Sequence, residues 1–535
     1  MHHLQHIAEL GSLLEALGAR QVIIAPGSRN APLIQLFTAD KRFSCHSIVD
    51  ERSAAYVALG MCKELGEPVV LVTTSGTAVL NLSPALAEAF QQELPLLVLT
   101  ADRPPELISQ FNNQVFDQRA PFYNFTKGFY EFPAAVGEKE DLEKAIRSVT
   151  TLCMEALAYP AGPVHVNLPL MEPLYVPLPD PILSMEGIRK ELQEHASFSD
   201  PDPEPELDLR GKKVLILAGM GRGNPELMQV LEQVPAAVVA ENIANMPSDA
   251  CISVPELVLA GASDGERMAL EPDLVITYGQ QVVSKRLKIS LQSREKLEIR
   301  ELRVAGPALA DLFRKCTDQE GAAASYRDLW KGIEDRECKR AEDYFKQAAF
   351  GNLSALVRIL KDIPSQSTVH LGNSTTIRFS QLVRARSDLR YYSNRGISGI
   401  DGSLSSAVGA AMVSDRQHLL ILGDLSFVYD SNALWNKDFP ENLKIVVLND
   451  GGGGIFRLLD GPGDMEFFEE FSVTHHPVSL ELLSASYGRM ASRAGNMEEL
   501  DQLLPALWST GHGLAVLEVD TTGSENSRIF KDLFK

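Results

Sequence analysis

The chain has 535 residues, which is too many for one hydrophobic core, and its 45% hydrophobic and 23% charged residues are typical of a globular protein with several domains. Its formal net charge of −21 argues against nucleic acid or an anionic membrane as the main partner, because both would repel it. No apolar run is long enough to predict a membrane span.

The N-terminus and the cysteines favour a cytoplasmic location. The first residues predict an amphipathic helix followed by a strand, without the basic region and cleavage site of a signal peptide. The six cysteines are scattered along the chain and form no CxxC pair: Cys45, Cys62, Cys153, Cys251, Cys316 and Cys338. We therefore expect reduced thiols, most of them buried.

Strand and helix patterns alternate through residues 1–183, where we predict the first domain. RQVIIAPGS predicts a strand and a turn, PVVLVTTSGTAVLNLSPALAEAF a strand and a helix, and LPLLVLTADRPP a further strand. Short apolar runs that alternate with helical patterns indicate a parallel sheet covered on both faces. A proline-rich, extended stretch, GPVHVNLPLMEPLYVPLPDPILS, ends this section.

The second predicted domain covers residues 184–346 and includes an acidic, proline-rich segment, SDPDPEPELDLRGKK, that resembles a linker. KVLILAGMGRGNPELMQVLEQV then predicts a strand, a glycine turn and a helix, and a charged helix, roughly Tyr326 to Ala348, leads out of the domain. The turn reads GxGxG instead of GxGxxG, and no convincing acidic residue follows about 20 positions later. We therefore interpret it as a structural turn and not as a dinucleotide site.

The third predicted domain, residues 347–535, again alternates strands with helices. STVHLGNSTTIRFSQLV, HLLILGDLSFVYDSNAL and LKIVVLNDGGGGIF each place a loop after a strand. No short-period repeat is visible. The predicted fold class is therefore α/β, with three doubly wound parallel-sheet domains.

Two strand ends in the third domain predict a metal site. Asp424 follows the apolar run LLIL, and Asp450 follows IVVL 26 positions later, enough for one helix and one strand between them. Both carboxylates should then lie at the carboxyl ends of parallel strands, and carboxylate and carbonyl oxygens suit Mg²⁺. The glycines after Asp450 let the backbone approach a diphosphate. The alternative is two unrelated strand-end turns.

Several motifs together carry a family resemblance. One of them, GDLS followed by Asn449 and Asp450, resembles the metal and diphosphate signature of thiamine diphosphate enzymes. The others are APGSRNAPL, DERSAAYVALG, TTSGTAVLNLSPALAEA, TADRPPEL, NNQVFDQ, GNSTTIR, SNRGISGIDG and NDGGGGIF. In order and context they resemble the 2-succinyl-5-enolpyruvyl-6-hydroxy-3-cyclohexene-1-carboxylate synthases of menaquinone biosynthesis, which are thiamine diphosphate enzymes. The resemblance spans nearly the whole chain and is weakest from about residue 185 to residue 345.

The resemblance implies thiamine diphosphate and Mg²⁺ as cofactors, with Mn²⁺ as the alternative metal. Glu51 would be the carboxylate that binds the aminopyrimidine ring nitrogen and activates the cofactor. The reactive chemistry belongs to the cofactor itself. The alternative for an acidic residue at this position, and for Asp50 beside it, is a complement to a helix dipole. The implied metal ligands are the Asp424 and Asp450 carboxylates and the Gly452 carbonyl. The family more often has Asn where Asp450 stands, and Asp is an equally good oxygen donor.

The cofactor contacts that the resemblance implies include an apolar wedge, Ile400, for which the alternative is a core isoleucine. The full set is Pro26, Glu51, Ile400, Gly423, Asp424, Leu425, Ser426, Asp450, Gly452, Gly453, Ile455 and Phe456.

The implied substrates, 2-oxoglutarate and isochorismate, are both dianions that suit guanidinium groups. Local cations can hold them against the negative global charge, since salt screens fields beyond ~8 Å. The matched residues are Ser28, Arg29, Arg103, Asn113, Gln114, Lys285, Arg286, Ser374, Arg378, Arg395, Ile455 and Phe456. For any one arginine, the alternative is a surface salt bridge.

The implied reaction removes carbon dioxide from 2-oxoglutarate and adds the succinyl semialdehyde unit to isochorismate. The resemblance also implies a homodimer or homotetramer whose active sites lie between subunits. Two alternatives remain open: another thiamine diphosphate enzyme, such as a 2-oxoacid decarboxylase or acetohydroxyacid synthase, and a catalytically silent diphosphate-binding subunit. The arginine-rich loops argue against the first, and Glu51 with the paired aspartates argues against the second.

Overall fold

Three β-sheets organise the chain. The structure is a computed structural model that describes residues 1–108, 113–197, 211–231, 236–246, 248–293, 297–302, 322–459, 461–509 and 513–535. Neighbouring strands run parallel in all three sheets, and helices alternate with strands along the chain. This confirms the predicted α/β class with three parallel sheets.

Contacts between residues divide the chain into two compact units. The first unit comprises Met1–Asp200, Gly396–Asp415 and Asp430–Pro440. The second comprises Pro201–Arg395, Arg416–Tyr429 and Glu441–Lys535. The domain boundaries after residues 183 and 346 remain a prediction. Most of the linker-like acidic segment and Cys316 lie outside the described residues.

The first sheet belongs to the first unit and has the strand order β2-β1-β3-β4-β6-β5. Its strands are β1 (Gln21–Ile24), β2 (Ser44–Ser47), β3 (Val69–Thr73), β4 (Leu96–Asp102), β5 (Phe129–Glu131) and β6 (Val164–Pro169). The helices here are α1 (Gln5–Ala16), α2 (Ala31–Ala39), α3 (Glu51–Leu65), α4 (Thr77–Leu80), α5 (Ser83–Gln91), α6 (Pro105–Ile108), α7 (Lys139–Leu157) and α8 (Glu186–Ser197). β3 and β4 are buried at every residue, as expected for a sheet covered on both faces.

The second sheet belongs to the second unit and has the order β11-β10-β7-β8-β9. Its strands are β7 (Val214–Ala218), β8 (Ala237–Ala240), β9 (Cys251–Ile252), β10 (Leu274–Tyr278) and β11 (Glu298–Leu302). The helices are α9 (Pro225–Leu231), α10 (Pro255–Gly261), α11 (Asp264–Ala269), α12 (Lys285–Gln292) and α13 (Ala322–Phe345). Alternate residues of β7 pack into two separate apolar clusters, one on each face of the sheet.

The third sheet also belongs to the second unit and has the order β13-β12-β14-β15-β17-β16. Its strands are β12 (Thr368–Leu371), β13 (Arg390–Tyr392), β14 (His418–Gly423), β15 (Leu443–Asn449), β16 (Ala491–Ala494) and β17 (Val516–Asp520). The helices are α14 (Asn352–Asp362), α15 (Thr375–Ser380), α16 (Ser403–Met412), α17 (Asp424–Tyr429), α18 (Leu480–Ser486), α19 (Met497–Trp508) and α20 (Asn526–Asp532). Of these, α16 lies in the first compact unit.

The first and third sheets have the same strand order when the strands of each sheet are numbered along the chain. In each, the chain runs from a central strand to its neighbour on one side and then crosses to the other side, so that the order reverses between β1 and β3 and between β12 and β14. Open α/β sheets bind ligands at the carboxyl ends of strands beside such a reversal. Predicted site residues follow three of these strands: residues 26–29 after β1, Ser374 after β12 and Asp424 after β14.

The glycine turn after β7 packs against other backbone. A Cβ atom at Gly219 would lie 1.7 Å from the carbonyl oxygen of Gln280, so only glycine fits there. This close approach supports the interpretation of AGMGRGNPE as a structural turn.

Within the described ranges, no helix is both long enough and apolar enough to cross a membrane.

Candidate active site

Glu51 is the first residue of α3 and follows shortly after β2. The preceding residue, Asp50, caps the helix: its Oδ1 accepts hydrogen bonds from the backbone N–H groups of Arg52 (2.9 Å) and Ser53 (3.2 Å). The second Asp50 oxygen accepts a hydrogen bond from Asn432 at 2.6 Å. Asp50 thus serves the helix start. The Glu51 side chain is half-buried, and no described residue pairs with its carboxylate.

α3 is held in place by close packing against α16. The Ser53 and Ser405 hydroxyls lie 2.9 Å apart, and the Tyr56 hydroxyl donates to Asp401 at 3.1 Å. A Cβ atom at Gly409 would lie 2.0 Å from the carbonyl oxygen of Val57, so the two helices touch through backbone. Glu51 therefore stands at the end of a helix with little freedom to shift.

Buried Asp430 fixes the start of α16. Its carboxylate accepts hydrogen bonds from the backbone N–H and the hydroxyl of Ser405, both at 2.7 Å, and lies 4.0 Å from the Arg52 guanidinium. Burial raises the pKa of Asp430 to about 7. The sequence did not point to this residue, because its partners lie far from it along the chain.

Ile400 lies in the loop before α16, next to the Asp401 that bonds to α3. It is 37% exposed, which does not fit the alternative of a core isoleucine. Its role as a wedge against the cofactor remains a prediction.

The loop after β1 places its predicted residues in two different environments. Pro26 and Ser28 are exposed, and the Ser28 hydroxyl lies 2.8 Å from the hydroxyl of Tyr175. Arg29 is buried, donates to the Leu170 carbonyl at 3.3 Å and pairs with Glu172 at 3.2 Å. Glu172 is itself exposed, so a substrate carboxylate could replace it. The contacts also fit a structural salt bridge, and the role of Arg29 remains a prediction.

Arg103 and Asn113 are brought together after β4. The Arg103 Nε donates to the Asn113 carbonyl at 3.2 Å, and Gln114 beside it is exposed with a φ of 55°. Gln118, in the same motif, is fully buried: it accepts from the Gly76 N–H at 3.0 Å and donates to Asn167 at 3.0 Å. Gln118 was not among the predicted site residues, although it belongs to NNQVFDQ, one of the motifs that carry the family resemblance.

Asp424 and Asp450 lie at the carboxyl ends of neighbouring strands, as their spacing predicted. β14 and β15 pair in parallel with Gly423 opposite Leu448. The Asp424 Oδ1 accepts from the Leu425 N–H at 2.9 Å, and its Oδ2 lies 3.1 Å from the His476 Nε2. The Asp450 Oδ2 accepts from the Asn352 Nδ2 at 3.0 Å. His476 and Asn352 are additions that the sequence did not predict.

The electrostatics of this acidic pair suit a cation. Burial raises the pKa of Asp424, and burial together with the charge of Asp424 raises the pKa of Asp450 to about 7. A divalent cation would relieve both the desolvation and the repulsion, and carboxylates are the ligands that Mg²⁺ prefers. The chemistry of these donors therefore fits the implied metal. Within the described residues, no cluster of three or more His, Cys, Asp or Glu side chains suits a metal, so the predicted set relies on the Gly452 carbonyl as its third protein ligand.

The glycine segment after β15 wraps backbone around Asp450. A Cβ atom at Gly454 would lie 1.9 Å from the Asp450 Oδ2, and Gly452 is buried with a φ of 147°. Side chains are therefore excluded at these positions, and only backbone lines this side of the carboxylate. Gly453 continues the segment, and Ile455 and Phe456 follow in the short 3₁₀ helix Gly454–Leu458. Gly423 ends β14, and Leu425 and Ser426 lie in the first turn of α17.

Four predicted substrate residues line one cavity of about 340 Å³ in the second unit. They are Lys285, Arg286, Arg378 and Ile455, and Leu458 and Phe530 extend its apolar wall. The Arg286 Nε pairs with Glu256 at 3.1 Å, and its guanidinium lies over the ring of Phe534 at 5.2 Å. The structure thus brings the two cations from the weakly matching central region into one cavity with Arg378.

Ser374 and Arg395 lie after neighbouring strands of the third sheet, and the lining of that cavity does not include them. The Ser374 carbonyl accepts a hydrogen bond from Arg378 at 2.8 Å, and Ser374 has a φ of 75°. Arg395 donates to the Asn373 side chain at 3.0 Å. Their contacts with substrate remain predictions.

Two family models match the chain. "Thiamine pyrophosphate enzyme, N-terminal TPP binding domain" matches residues 8–120, and "Thiamine pyrophosphate enzyme, C-terminal TPP binding domain" matches residues 372–519. The first match contains Glu51 and the loop after β1. The second contains Asp424, Asp450 and the glycine segment.

The chain is also similar over nearly its full length to proteins named 2-succinyl-5-enolpyruvyl-6-hydroxy-3-cyclohexene-1-carboxylate synthase. It is 38% identical to that of Desulfotalea psychrophila over 96% of this chain and 98% of the relative. It is 34% identical to that of Flavobacterium johnsoniae, over 99% and 98% of the two chains. It is 33% identical to that of Porphyromonas gingivalis, over 99% and 96%.

Proposed function

The chain belongs to the 2-succinyl-5-enolpyruvyl-6-hydroxy-3-cyclohexene-1-carboxylate synthase family, and we propose that it joins a four-carbon unit of 2-oxoglutarate to isochorismate. It is a thiamine diphosphate-dependent transferase of menaquinone biosynthesis that forms a carbon–carbon bond. In the proposed reaction, carbon dioxide leaves 2-oxoglutarate and the succinyl semialdehyde unit is added to the isochorismate ring. The observation that carries the proposal is the cavity that combines Lys285, Arg286 and Arg378 with apolar side chains.

Asp424 and Asp450 hold the metal in this proposal. Their carboxylates and the Gly452 carbonyl supply hard oxygen ligands for Mg²⁺, or for Mn²⁺ as the alternative, and the diphosphate supplies others. The raised pKa values of both acids support a bound cation, because the ion would offset their charge. Only backbone of the glycine segment lines this side of Asp450, and backbone without side chains can approach a diphosphate closely.

Glu51 activates the cofactor by accepting a hydrogen bond at the pyrimidine ring. The capped, tightly packed start of α3 supports this role, because the carboxylate is held in a fixed position. When bound, thiamine diphosphate supplies the carbanion chemistry that decarboxylation and carbon–carbon bond formation require. The protein contributes the hydrogen bond to the Glu51 carboxylate, the orientation of the cofactor and the exclusion of competing groups from the site.

Cationic side chains bind the two dianionic substrates. Lys285, Arg286 and Arg378 offer charge-assisted hydrogen bonds to carboxylates, and Ile455 offers an apolar wall for a ring. The remaining proposed contacts with substrate or cofactor come from Pro26, Ser28, Arg29, Arg103, Asn113, Gln114, Ser374, Arg395, Ile400 and Phe456. For Arg29 and Arg103, the existing hydrogen bonds would orient the guanidinium groups before substrate arrives.

We propose that the active enzyme is a homodimer or homotetramer. The family resemblance supports active sites formed by the first domain of one subunit and the third domain of another. A closed two-fold arrangement would give two equivalent sites per dimer.

We also propose a cytoplasmic location without a membrane or nucleic-acid partner. The five cysteines of the described residues form no disulfide, and reduced thiols persist in a reducing compartment: Cys45, Cys62, Cys153, Cys251 and Cys338. The net charge of −21 disfavours association with anionic surfaces.

The test is the mass of the product formed when 2-oxoglutarate and isochorismate are supplied together with thiamine diphosphate and Mg²⁺. We expect the mass of isochorismate plus the succinyl semialdehyde unit, and no product when the cofactor is omitted. Rapid release of carbon dioxide without coupling to isochorismate would instead indicate a 2-oxoacid decarboxylase. No release at all would indicate a silent binding subunit.

A further inference from the structure

A buried carboxylate at the end of β8 holds the turn that precedes the cationic helix α12. Glu241 is 2% exposed and accepts hydrogen bonds from the backbone N–H groups of Val283 and of Ser284, the latter at 2.7 Å. Two N–H donors therefore converge on the two oxygens of one side chain. Neither contact is explained by the reaction, because Glu241 does not line the substrate cavity.

A second carboxylate, Glu256, also contacts the start of this helix. The Ser284 hydroxyl accepts from the Leu287 N–H at 3.2 Å as the N-cap of α12, and it donates to Glu256 at 2.6 Å. Glu256 also pairs with the Arg286 guanidinium at 3.1 Å. The backbone that carries Lys285 and Arg286 is thus fixed at consecutive residues.

The next residue, Asn242, holds the helix that carries Arg378. It is 4% exposed, and its Nδ2 donates to the Ser380 hydroxyl at 3.0 Å. Its Oδ1 accepts from the Gln381 Nε2 at 2.8 Å. Ser380 is the last residue of α15, so Asn242 ties the end of β8 to α15.

One dipeptide therefore links both cationic walls of the cavity. We propose that Glu241 and Asn242 are positioning residues that set the spacing between the Lys285–Arg286 pair and Arg378, and hence the affinity for a dicarboxylate substrate. The surrounding apolar packing supports this, because Ile243 shares one core cluster with Val283 and with Ile377 of α15. The inference rests on the proposed function and adds the means by which the cavity is shaped.

The chemistry of Glu241 makes the proposal testable with a nearly isosteric change. Glutamine offers one acceptor oxygen and one NH₂ group, so Glu241→Gln would place a donor against one of the two N–H groups. A suitable control is Glu334→Gln. Glu334 is also fully buried in the central region, and its Oε1 accepts from the N–H groups of Ser253 (2.6 Å) and Val254 (3.2 Å). Its Oε2 pairs with Lys331 at 2.6 Å, and it does not line the cavity.

We expect Glu241→Gln to raise the KM for the cavity's substrate about tenfold, the effect of losing one charge-assisted hydrogen bond, with kcat changed by less than about twofold. The substrate concerned is the one, 2-oxoglutarate or isochorismate, whose KM also rises in Lys285→Ala. Glu334→Gln should lower thermal stability to a similar degree without changing either KM. An unchanged KM in Glu241→Gln, or an equal rise in the control, would overturn the positioning role.

A double variant separates this inference from the proposed function. If Glu241 acts through Lys285, the effects of Glu241→Gln and Lys285→Ala on KM should be less than additive, whereas those of Glu334→Gln and Lys285→Ala should add. Should Lys285→Ala, Arg286→Ala and Arg378→Ala leave both KM values unchanged, the proposed substrate cavity itself fails. If KM rises in those three variants but not in Glu241→Gln, only the positioning role of Glu241 is rejected.

Ser380→Ala keeps the test available if Glu241→Gln does not fold. The change removes the hydroxyl that accepts from Asn242 and leaves every charge in place. The same substrate should bind about two- to fivefold more weakly, in keeping with the loss of a neutral hydrogen bond. No change in KM in soluble, folded Ser380→Ala would count against the link between Asn242 and Arg378.

Discussion

Glu51 stands at a helix start whose cap is supplied by its neighbour, Asp50, so its own carboxylate is not needed to hold α3. We predict that Glu51→Gln keeps most of its affinity for thiamine diphosphate but loses about 100-fold or more in turnover, the range typical for a lost proton-transfer contact. NMR exchange of the thiazolium C2 proton should slow in parallel. Exposed Glu67→Gln is the matched control, and wild-type exchange in Glu51→Gln would exclude the role.

Asp424 is 1% exposed and lies beside a second acid, Asp450, and in the proposed site a cation offsets the charge of both. We predict that Asp424→Ala loses the Mg²⁺-dependent part of thiamine diphosphate binding, because the phosphates lose their bridging ion. Calorimetric titrations with and without Mg²⁺ test this, with exposed Asp415→Ala as control. If Mg²⁺ strengthens binding equally in Asp424→Ala and in the wild type, the metal ligand lies elsewhere.

His165 gives the first unit a defined acid sensitivity. It is fully buried, and its Nε2–H donates to the Thr100 hydroxyl at 2.7 Å, since that hydroxyl donates its own proton to Asn167. The Nδ1 atom has no hydrogen-bond partner among the described residues, and the imidazole packs against the Phe122 and Phe129 rings, so a second proton is disfavoured. Burial lowers the pKa of His165 to about 3.

The unfolded chain therefore takes up a proton at this histidine below pH 6.5, whereas the folded chain does not. Stability should fall as pH decreases from 6.5 toward 3, by up to about 1.4 kcal/mol per pH unit from this one group. His165→Gln keeps an N–H donor and cannot titrate. We predict that it is less stable than the wild type at pH 7.5 and that the difference shrinks by pH 5, as measured by urea unfolding. A difference independent of pH would contradict this origin.

Residue roles could be predicted where a local pattern marks them. Asp424 and Asp450 each follow an apolar run, and their spacing alone indicated a shared site. The partners of these acids carry no such mark: Asn352 lies 98 positions from Asp450, and His476 lies 52 positions from Asp424. Hydrogen-bond partners at such distances depend on how the sheets and helices pack, which one sequence does not encode locally.

At the scale of elements, the contact between α3 and α16 depends on glycine. A side chain at Gly409 would collide with the Val57 carbonyl at 2.0 Å and push the helices apart. We predict that Gly409→Ala destabilises the protein by about 1–3 kcal/mol, as overpacking does, and also lowers activity through Glu51. The matched control is Gly332→Ala in α13, where nothing lies within 4 Å of the added atom.

Gly332→Ala should instead stabilise the protein by about 0.5–1 kcal/mol, because alanine loses less backbone entropy in a helix. Thermal unfolding of both variants measures the difference. Equal effects in the two variants would mean that the helix contact yields to accommodate a methyl group.

Elements were predicted well where their periodicity was strong, and less well at their ends. The charged helical stretch expected from Tyr326 to Ala348 is α13, which begins at Ala322 and ends at Phe345. The glycine segment after β15 was predicted to be close to a ligand, but its wrapping around Asp450 was not. That geometry depends on positive φ angles and on neighbours such as Val473, and the periodicity of apolar residues indicates neither of them.

At the scale of the whole molecule, the three parallel sheets follow from alternating apolar runs and helical patterns. The shared strand order of the first and third sheets could not be predicted from these patterns, since strand order depends on which helices cover which face. The net charge of −21 gave no sign of an anionic substrate. In the proposed function, the cavity with Lys285, Arg286 and Arg378 binds an anionic substrate despite this net charge, because binding responds to charges within a few ångströms.

The proposed assembly of the active site from two subunits can be tested by mixing variants. Glu51 lies in the first compact unit and Asp424 in the second, and the cofactor needs one carboxylate at each end. If each site takes Glu51 from one subunit and Asp424 from its partner, a mixed dimer of Glu51→Gln and Asp424→Ala has one site with both lesions and one with none. Mixing the two inactive variants should then restore activity, up to about half of the wild-type sites per mixed dimer.

Native mass spectrometry confirms the exchange of subunits, and each variant incubated alone is the control. Sites built within one subunit would each carry one lesion in the mixed dimer, and no activity would return. Restored activity that rises with the fraction of mixed dimer therefore requires a shared site, because no single subunit in the mixture carries both intact carboxylates. If exchange is complete and activity stays absent, the shared-site arrangement is wrong or its two sites work only together.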